Sequence, residues 1–190
     1  MKKSTLKLEY NSPVILSFAL LSLLVLGVDY LTFGVSTNKL FCVYRAPLSD
    51  FLTWPRMVLH VLGHFGWAHY MGNMTLLLVI GPPLEEKYGS KRLLSCIFIT
   101  ALVSGLVQFF LFPGTALLGA SGIVFMLILL SSLSGMSQGS IPLTFLLVAF
   151  IYLGEELMSA LTVRDNISQL THIVGGVCGA VLGLSMRRGK

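Results

Sequence analysis

Long apolar runs, separated by short polar or glycine- and proline-rich breaks, dominate the chain. A helix needs about 20 apolar residues to cross a bilayer core, and the runs predict six such helices. They cover about residues 12–34, 67–84, 92–112, 118–135, 142–160 and 167–186. Between Leu93 and Gly154 no Asp, Glu, Lys, Arg or His occurs. The breaks there are "FPGT" (112–115) and "SGMSQGSIP" (134–142). A long loop is predicted at about 35–56.

The composition agrees with this pattern. Of 190 residues, 55% are hydrophobic and 11% are charged, whereas a soluble domain carries about 25% charged residues. We therefore predict an all-α polytopic membrane protein, a six-transmembrane-helix bundle in a lipid bilayer, with one domain over residues 1–190. No basic patch with interleaved aromatics occurs, so a nucleic-acid partner is not expected.

The distribution of positive charge predicts the orientation. Nine of the 13 Lys and Arg residues fall on the side of the N-terminus, and the other four, Lys39, Arg45, Arg56 and Arg164, fall on the opposite side. Because Lys and Arg favour the cytoplasmic side, both termini are expected in the cytoplasm. A signal peptide at the first helix, suggested by Met1-Lys2-Lys3, would leave the later helices as they are. The short tails and the lack of a transit peptide favour a bacterial cytoplasmic (inner) membrane.

Polar side chains inside membrane helices are costly and are therefore functional candidates. His69 and Asn73 lie one turn apart in the outer half of the second helix. Ser121 lies about one turn into the fourth helix, and His172 one or two turns into the sixth. At a rise of 1.5 Å per residue, all four fall in one layer near the outer surface.

This layer has the parts of an acyl-transfer site. A serine hydroxyl becomes a good nucleophile when a neighbouring imidazole takes its proton, which assigns Ser121 and His172 to that chemistry. Donors for a developing oxyanion are available from His69, Asn73 and the Ser121 backbone N–H. Gly119 and Gly122 would let a substrate backbone come close.

The sixth helix carries glycines at every fourth position, Gly175, Gly179 and Gly183. Such a GxxxGxxxG groove allows close approach of another helix. If that helix is the fourth, His172 lies against Ser121.

Together these residues resemble the rhomboid intramembrane serine proteases. The matching pieces are "HVLGHFGWAHYMGN" (60–73), "GASG" (119–122) and "HIVGGVCGAVLG" (172–183). Arg56 after Trp54-Pro55 resembles the family's tryptophan-arginine element in the first loop, and Glu85 in "LEEKYG" (84–89) is similar to its acidic turn. The likeness covers about residues 12–186.

The resemblance implies a Ser121–His172 dyad without cofactor or metal, and an oxyanion hole of His69, Asn73 and the Ser121 amide. It implies cleavage of transmembrane protein substrates in or near their membrane segment. His60 and His64 would support the loop and the start of the second helix. Phe125 stands where a tyrosine often packs on the catalytic histidine, Thr171 where alanine is common, and Pro55 splits the tryptophan-arginine pair.

Other interpretations differ in class. GASG alone is most simply a small-residue packing patch. His60, His64 and His69 could bind a metal, although the HExxH glutamate is missing. A catalytically silent rhomboid-like protein would guide membrane clients, but such proteins typically lose the serine or the histidine. A small transporter predicts inverted repeats and polar residues near the midplane, and neither is seen in the sequence.

Overall fold

The structure is a computed structural model that describes residues 9–135, 140–151 and 166–187. Helices dominate it. In chain order they are α1 (Pro13–Leu31), α2 (Val35–Leu40), α3 (Thr53–Leu59), α4 (Trp67–Tyr88), α5 (Ser90–Leu111), α6 (Ser121–Leu133), α7 (143–151) and α8 (Asn166–Arg187). One 3-10 turn, His60–Leu62, directly follows α3.

Two of the described helices, α1 and α5, are long and apolar enough to cross a membrane. Shorter apolar helices are Ser121–Leu133 and Thr171–Met186. The predicted span at 142–160 corresponds to α7 as far as residue 151, and its remainder lies outside the described residues. The helical fold class is therefore confirmed, while the count of six spans stays a prediction.

The region expected to be a loop at about 35–56 contains regular structure. It holds α2, the start of α3 and a two-residue strand, β1 (Val43–Tyr44). This strand pairs antiparallel with β2 (Ala116–Leu117), placing Val43 opposite Leu117. Strands of two residues have no readable alternation of polar and apolar positions, so the sequence pattern did not indicate them. The pair ties the first loop to the segment just before Ser121.

Helix α6 is the centre of the described bundle, packing against α4, α5 and α8. Ile123, Met126, Leu127 and Leu130 have 0% exposure, which explains why this helix is apolar all round. By contrast, α1 and α5 keep large apolar side chains on their outer faces, among them Leu24 and Phe98. Such faces suit contact with lipid.

Glu85, which is 3% exposed, holds the end of the bundle at which α1 begins. Its carboxylate accepts hydrogen bonds from Val14 N–H and Ile15 N–H, both at 3.0 Å, and from Ser90 Oγ at 2.7 Å. The first N–H groups of a helix have no partner within it. Glu85 therefore caps α1 from another helix.

Candidate active site

Ser121 lies at the start of α6, because the chain turns sharply just before it. Gly119 has φ +119°, a conformation that suits glycine, and its N–H donates to His60 O at 3.0 Å. The helix then begins, with Val124 N–H donating to Ala120 O at 2.9 Å. Ser121 is therefore the first helical residue and not one turn further in, as the predicted boundary at 118 implied.

This position has a chemical consequence. The N–H groups of a first helical turn lack acceptors within the helix, and the helix dipole favours negative charge there. The backbone N–H of Ser121 is one of these groups. The helix end that favours negative charge thus also carries the serine hydroxyl.

Helices α6 and α8, which correspond to the fourth and sixth predicted spans, pack closely because glycines lie at their contact. A Cβ on Gly175 would strike the backbone carbonyl of Gly122, and a Cβ on Gly179 would strike that of Met126. The position of a Gly122 Cβ lies 3.2 Å from Thr171 Cγ2. The residue after Ser121 therefore packs against the residue before His172.

The ring of Phe125 joins these two helices beside the serine. Phe125 follows Ser121 by one turn and so shares its face of α6. Its ring centroid is 4.4 Å from that of His172, with the planes tilted by 42°. The phenyl ring thus contacts the imidazole from the face of α6 that it shares with Ser121.

His69 lies in the first turn of α4, next to the turn that carries Gly119. The position of a Gly119 Cβ is 2.8 Å from His69 Nε2 and 2.7 Å from Cε1, so a side chain at 119 would force this ring or the turn to shift. His69 also interacts electrostatically with His172. Asn73, one turn further, donates from Nδ2 to His69 O at 3.1 Å.

Hydrogen-bond partners define the neutral tautomers of His60, His64 and His69. Phe65 N–H donates to His69 Nδ1 at 3.2 Å, so the proton of neutral His69 lies on Nε2, the atom beside Gly119. In His60 and His64, Nδ1 faces a carbonyl oxygen, at 3.2 Å from Arg56 O and 3.1 Å from Leu62 O. A carbonyl accepts only, so these two rings carry the proton on Nδ1.

His60 and His64 are buried beneath the first loop, each 1% exposed. Burial lowers the pKa of His60 from its ordinary value to about 4. Burial, assisted by the nearby His69, lowers the pKa of His64 to about 4. Both are thus neutral near pH 7. In the described part of the chain no group of three or more His, Cys, Asp or Glu side chains could hold a metal ion.

Arg56 fastens the first loop. It is 4% exposed, its Nε donates to Lys39 O at 2.7 Å, and its guanidinium pairs with Asp50 Oδ2 at 3.1 Å. The guanidinium carbon also lies 4.6 Å from the centre of the Tyr44 ring. Pro55 lies in the first turn of α3 and does not break it. Arg56 therefore acts as a loop clamp.

Comparison with known proteins identifies the family. The Rhomboid domain family matches residues 52–189. The chain belongs to the rhomboid family. This match confirms the family that the motifs indicated, and membership makes the chain an integral membrane protein.

Individual relatives agree with the family match. The chain is 30% identical to Rhomboid-related protein 1 of Caenorhabditis elegans, over 67% of this chain and 38% of that protein. It is 30% identical to Rhomboid protease GluP of Bacillus subtilis, over 69% of this chain and 26% of the relative. It is 32% identical to Rhomboid protease GlpG of Serratia proteamaculans, over 58% and 37% respectively. The chain thus spans well under half of each relative's length, and the relatives include eukaryotic and bacterial proteins.

Proposed function

We propose that this rhomboid protein is an intramembrane serine endopeptidase that cleaves membrane-anchored proteins in or near their transmembrane segment. The observation that carries the proposal is the contact of α6 with α8 at Gly122 and Gly175, with the Phe125 ring on His172 at 4.4 Å. The contact packs the helix that begins at Ser121 against the helix that carries His172, which supports the proposed pairing of the two side chains. The names of two relatives, Rhomboid protease GluP and Rhomboid protease GlpG, agree with it.

In the proposed mechanism Ser121 is the nucleophile and His172 the general base. His172 takes the hydroxyl proton while Ser121 Oγ bonds to the scissile carbonyl carbon, and the carbonyl oxygen becomes an oxyanion. His172 then gives the proton to the leaving amine as the C–N bond breaks. A water molecule, deprotonated by the same ring, releases the acyl group and restores the serine.

The oxyanion is stabilised by three donors. They are the Ser121 backbone N–H, the Nε2–H of His69 and the side-chain amide of Asn73. Because Phe65 N–H occupies His69 Nδ1, a neutral His69 has its proton on the nitrogen beside Gly119. Donors already aimed at a developing charge need no rearrangement during the reaction, and losing one typically lowers kcat about 10²- to 10³-fold.

The proposed placement in the membrane has six helices and both termini in the cytoplasm of a bacterial cell. The dyad then lies toward the outer face, where α6 and α8 begin. Substrates would be transmembrane proteins that reach this layer from the bilayer. His60, His64, Gly119, Gly122 and Gly179 are assigned supporting roles, because each holds the loop or the helix contact that shapes the site.

The test is labelling of the purified protein in detergent by a fluorophosphonate probe, with mass spectrometry to locate the modified serine. We expect labelling at Ser121, and its loss in Ser121→Ala and His172→Ala. Ser132→Ala is the matched control, because Ser132 lies on the same helix and its hydroxyl donates to Ile128 O at 2.9 Å. It should label as the unmodified protein does.

Absence of labelling in the folded natural protein would refute the proposed protease activity. The runner-up, a silent rhomboid-like protein that binds membrane clients, would then be tested by crosslinking to membrane proteins. Labelling that persists in His172→Ala would refute the dyad alone.

A further inference from the structure

The hydrogen bond from Phe65 N–H to His69 Nδ1 depends on the protonation state of the His69 ring. The bond is 3.2 Å long and joins the turn before α4 to the first turn of that helix. Nδ1 accepts it through a lone pair, which the neutral ring has on one nitrogen. A protonated imidazole carries a hydrogen on both nitrogens and accepts nothing. The bond and the protonated ring therefore exclude each other.

The His69 ring is open to protonation. The residue is half-buried, whereas its neighbour His64 is 1% exposed. Among the described residues, no carboxylate forms an ion pair with His69. Nothing in this part of the chain thus compensates the protonated ring for losing its bond to Phe65.

The titratable neighbours of His69 come from the turn, from α8 and from the end of α1. The His64 ring lies edge-on with centroids 5.1 Å apart, and its pKa of about 4, lowered by burial, keeps it neutral near pH 7. His172 interacts electrostatically with His69. At the end of α1, Asp29 lines a cavity with the turn, and the Tyr30 hydroxyl faces the same turn. Helix α6 contains no Asp, Glu, Lys, Arg or His.

Loss of the bond would free the ring and leave the turn in place. The turn keeps the bond from Gly66 N–H to His64 O at 2.9 Å, and Gly66 O still accepts from Tyr70 N–H at 3.2 Å. By contrast, the described residues provide no second hydrogen bond to the His69 ring. Its position beside the Gly119 turn therefore depends on the Phe65 bond.

We propose that the Phe65–His69 hydrogen bond is a pH-sensitive switch that positions the His69 ring. When Nδ1 takes a proton from water, the bond to Phe65 N–H breaks and the ring loses its fixed place beside Gly119. The added charge also disfavours a second charge on His172, which the proposed dyad needs. The Phe65 N–H is thus a positioning group. Its effect on catalysis rests on the proposed function, because it assumes that His69 serves the oxyanion.

The switch is tested first by nitrogen spectra of ¹⁵N-labelled protein carrying His172→Ala, which removes the other ring of the dyad. The two remaining buried histidines, His60 and His64, have pKa values of about 4. The range from about pH 8 to about pH 5 brackets the ordinary histidine pKa of about 6.5. We expect His69 to carry its proton on Nε2 at the upper end and to become protonated within this range.

Hydrogen exchange of the backbone amides reports the bond itself. Gly66 N–H is the matched control, because its acceptor is a backbone carbonyl, His64 O, and dividing by its rate removes the intrinsic effect of pH. The ratio of Phe65 to Gly66 exchange rates should rise roughly two- to tenfold, the effect of one hydrogen bond, with the midpoint of His69 protonation. A constant ratio, a His69 that stays neutral, or an Nδ1 proton at the upper pH would overturn the proposal.

The effect on the active site is tested by fluorophosphonate labelling of Phe65→Pro and Phe65→Ala. Both variants lose the phenyl ring, but only proline lacks the backbone N–H. With His69 neutral, labelling of Phe65→Pro should be roughly two- to tenfold slower than that of Phe65→Ala. The difference should disappear once His69 is protonated, since the bond is then broken in both. Equal rates, or a difference that does not change with pH, would overturn the positioning role.

The two proposals fail separately. If the natural protein is not labelled, the proposed function fails, whereas the spectra and the exchange rates need no catalysis and still decide the switch. Those measurements also need no proline, so they decide it even where Phe65→Pro does not fold.

Discussion

The glycines of α8 predict a graded response to alanine. A Cβ on Gly179 would collide with the backbone of Met126, whose C and Cα atoms lie 3.0 Å away, where ordinary contact begins at 3.4 Å. Backbone cannot rotate aside, so the helices must separate. A Cβ on Gly183 would instead meet Leu133 Cδ1 at 2.9 Å, the movable end of a side chain. Gly27 has no atom within 4 Å.

Two opposing free-energy terms decide whether alanine stabilises or destabilises the protein at these positions. Alanine in place of glycine favours a helix by about 0.5–1 kcal/mol, whereas overpacking a close contact typically costs about 1–3 kcal/mol. Gly179→Ala should therefore be destabilising by about 1–2 kcal/mol. It should also move α8 from α6, and a 1 Å misplacement of catalytic groups can lower a rate about 10²-fold. Gly183→Ala should have a smaller effect, and Gly27→Ala should stabilise slightly.

The assay is the rate of fluorophosphonate labelling together with thermal unfolding in one detergent. The expected order of labelling rates is Gly27→Ala equal to the natural protein, then Gly183→Ala, then Gly179→Ala. Gly27→Ala controls for the change in helix propensity, because it makes the same substitution in α1. Wild-type labelling and stability in Gly179→Ala would refute the close packing of α6 and α8.

Three further predictions follow from single contacts. Glu85→Gln replaces the anion that caps α1 and should lower the free energy of unfolding by about 1–3 kcal/mol. Glu86→Gln, at an exposed neighbour, is the control and should change this free energy by less than about 0.5 kcal/mol. Equal melting temperatures of the two variants would contradict the capping role. Gly119→Ala would place a side chain at a φ of +119° and a Cβ 2.7 Å from the His69 ring. The rate of labelling should fall at least about 10-fold if this displaces the oxyanion donor. An unchanged rate would argue against the role of His69 as an oxyanion donor. Burial lowers the pKa values of the two histidines of segment 60–64 to about 4, below the ordinary 6.5, so the unfolded chain binds more protons between those pH values. The free energy of unfolding should therefore rise with pH from about 4 to 6.5. A free energy of unfolding that does not change with pH would contradict the burial of these rings in neutral form.

The sequence was most informative where chemistry depends on side chains at helical spacing. Ser121, His172, His69 and Asn73 occur at depths that the apolar runs define, and the structure places them around one junction of helices. The α8 glycines also predicted a close helix contact, and the partner, inferred from the sequence only as a condition, is α6 in the structure. The assigned roles of these residues remain predictions.

The parts that the sequence did not reveal depend on backbone and on long-range contacts. The β1–β2 pair joins residues more than 70 positions apart with two residues per strand. The start of α6 was placed three residues early, because apolar residues 116–118 continue the pattern of the helix while forming a strand and turn. The sequence indicated only that Glu85 belongs to an acidic turn, whereas its carboxylate also bonds the first turn of α1, about 70 positions away. Such pairings are fixed by hydrogen bonds without a local sequence signal.

The close contact of α6 and α8 links stability to chemistry. Helix α8 contains four glycines, Gly175, Gly176, Gly179 and Gly183, which together weaken an isolated helix by roughly 2–4 kcal/mol relative to alanine. Packing of α8 on α6 offsets this cost. The same contact places the His172 ring against the ring of Phe125, one turn after Ser121. If Ser121 and His172 form the proposed dyad, separation of α8 also breaks the dyad, so labelling should be lost at the temperature where α6–α8 packing is lost. Labelling that persists after the two helices have separated would show that His172 does not activate the serine.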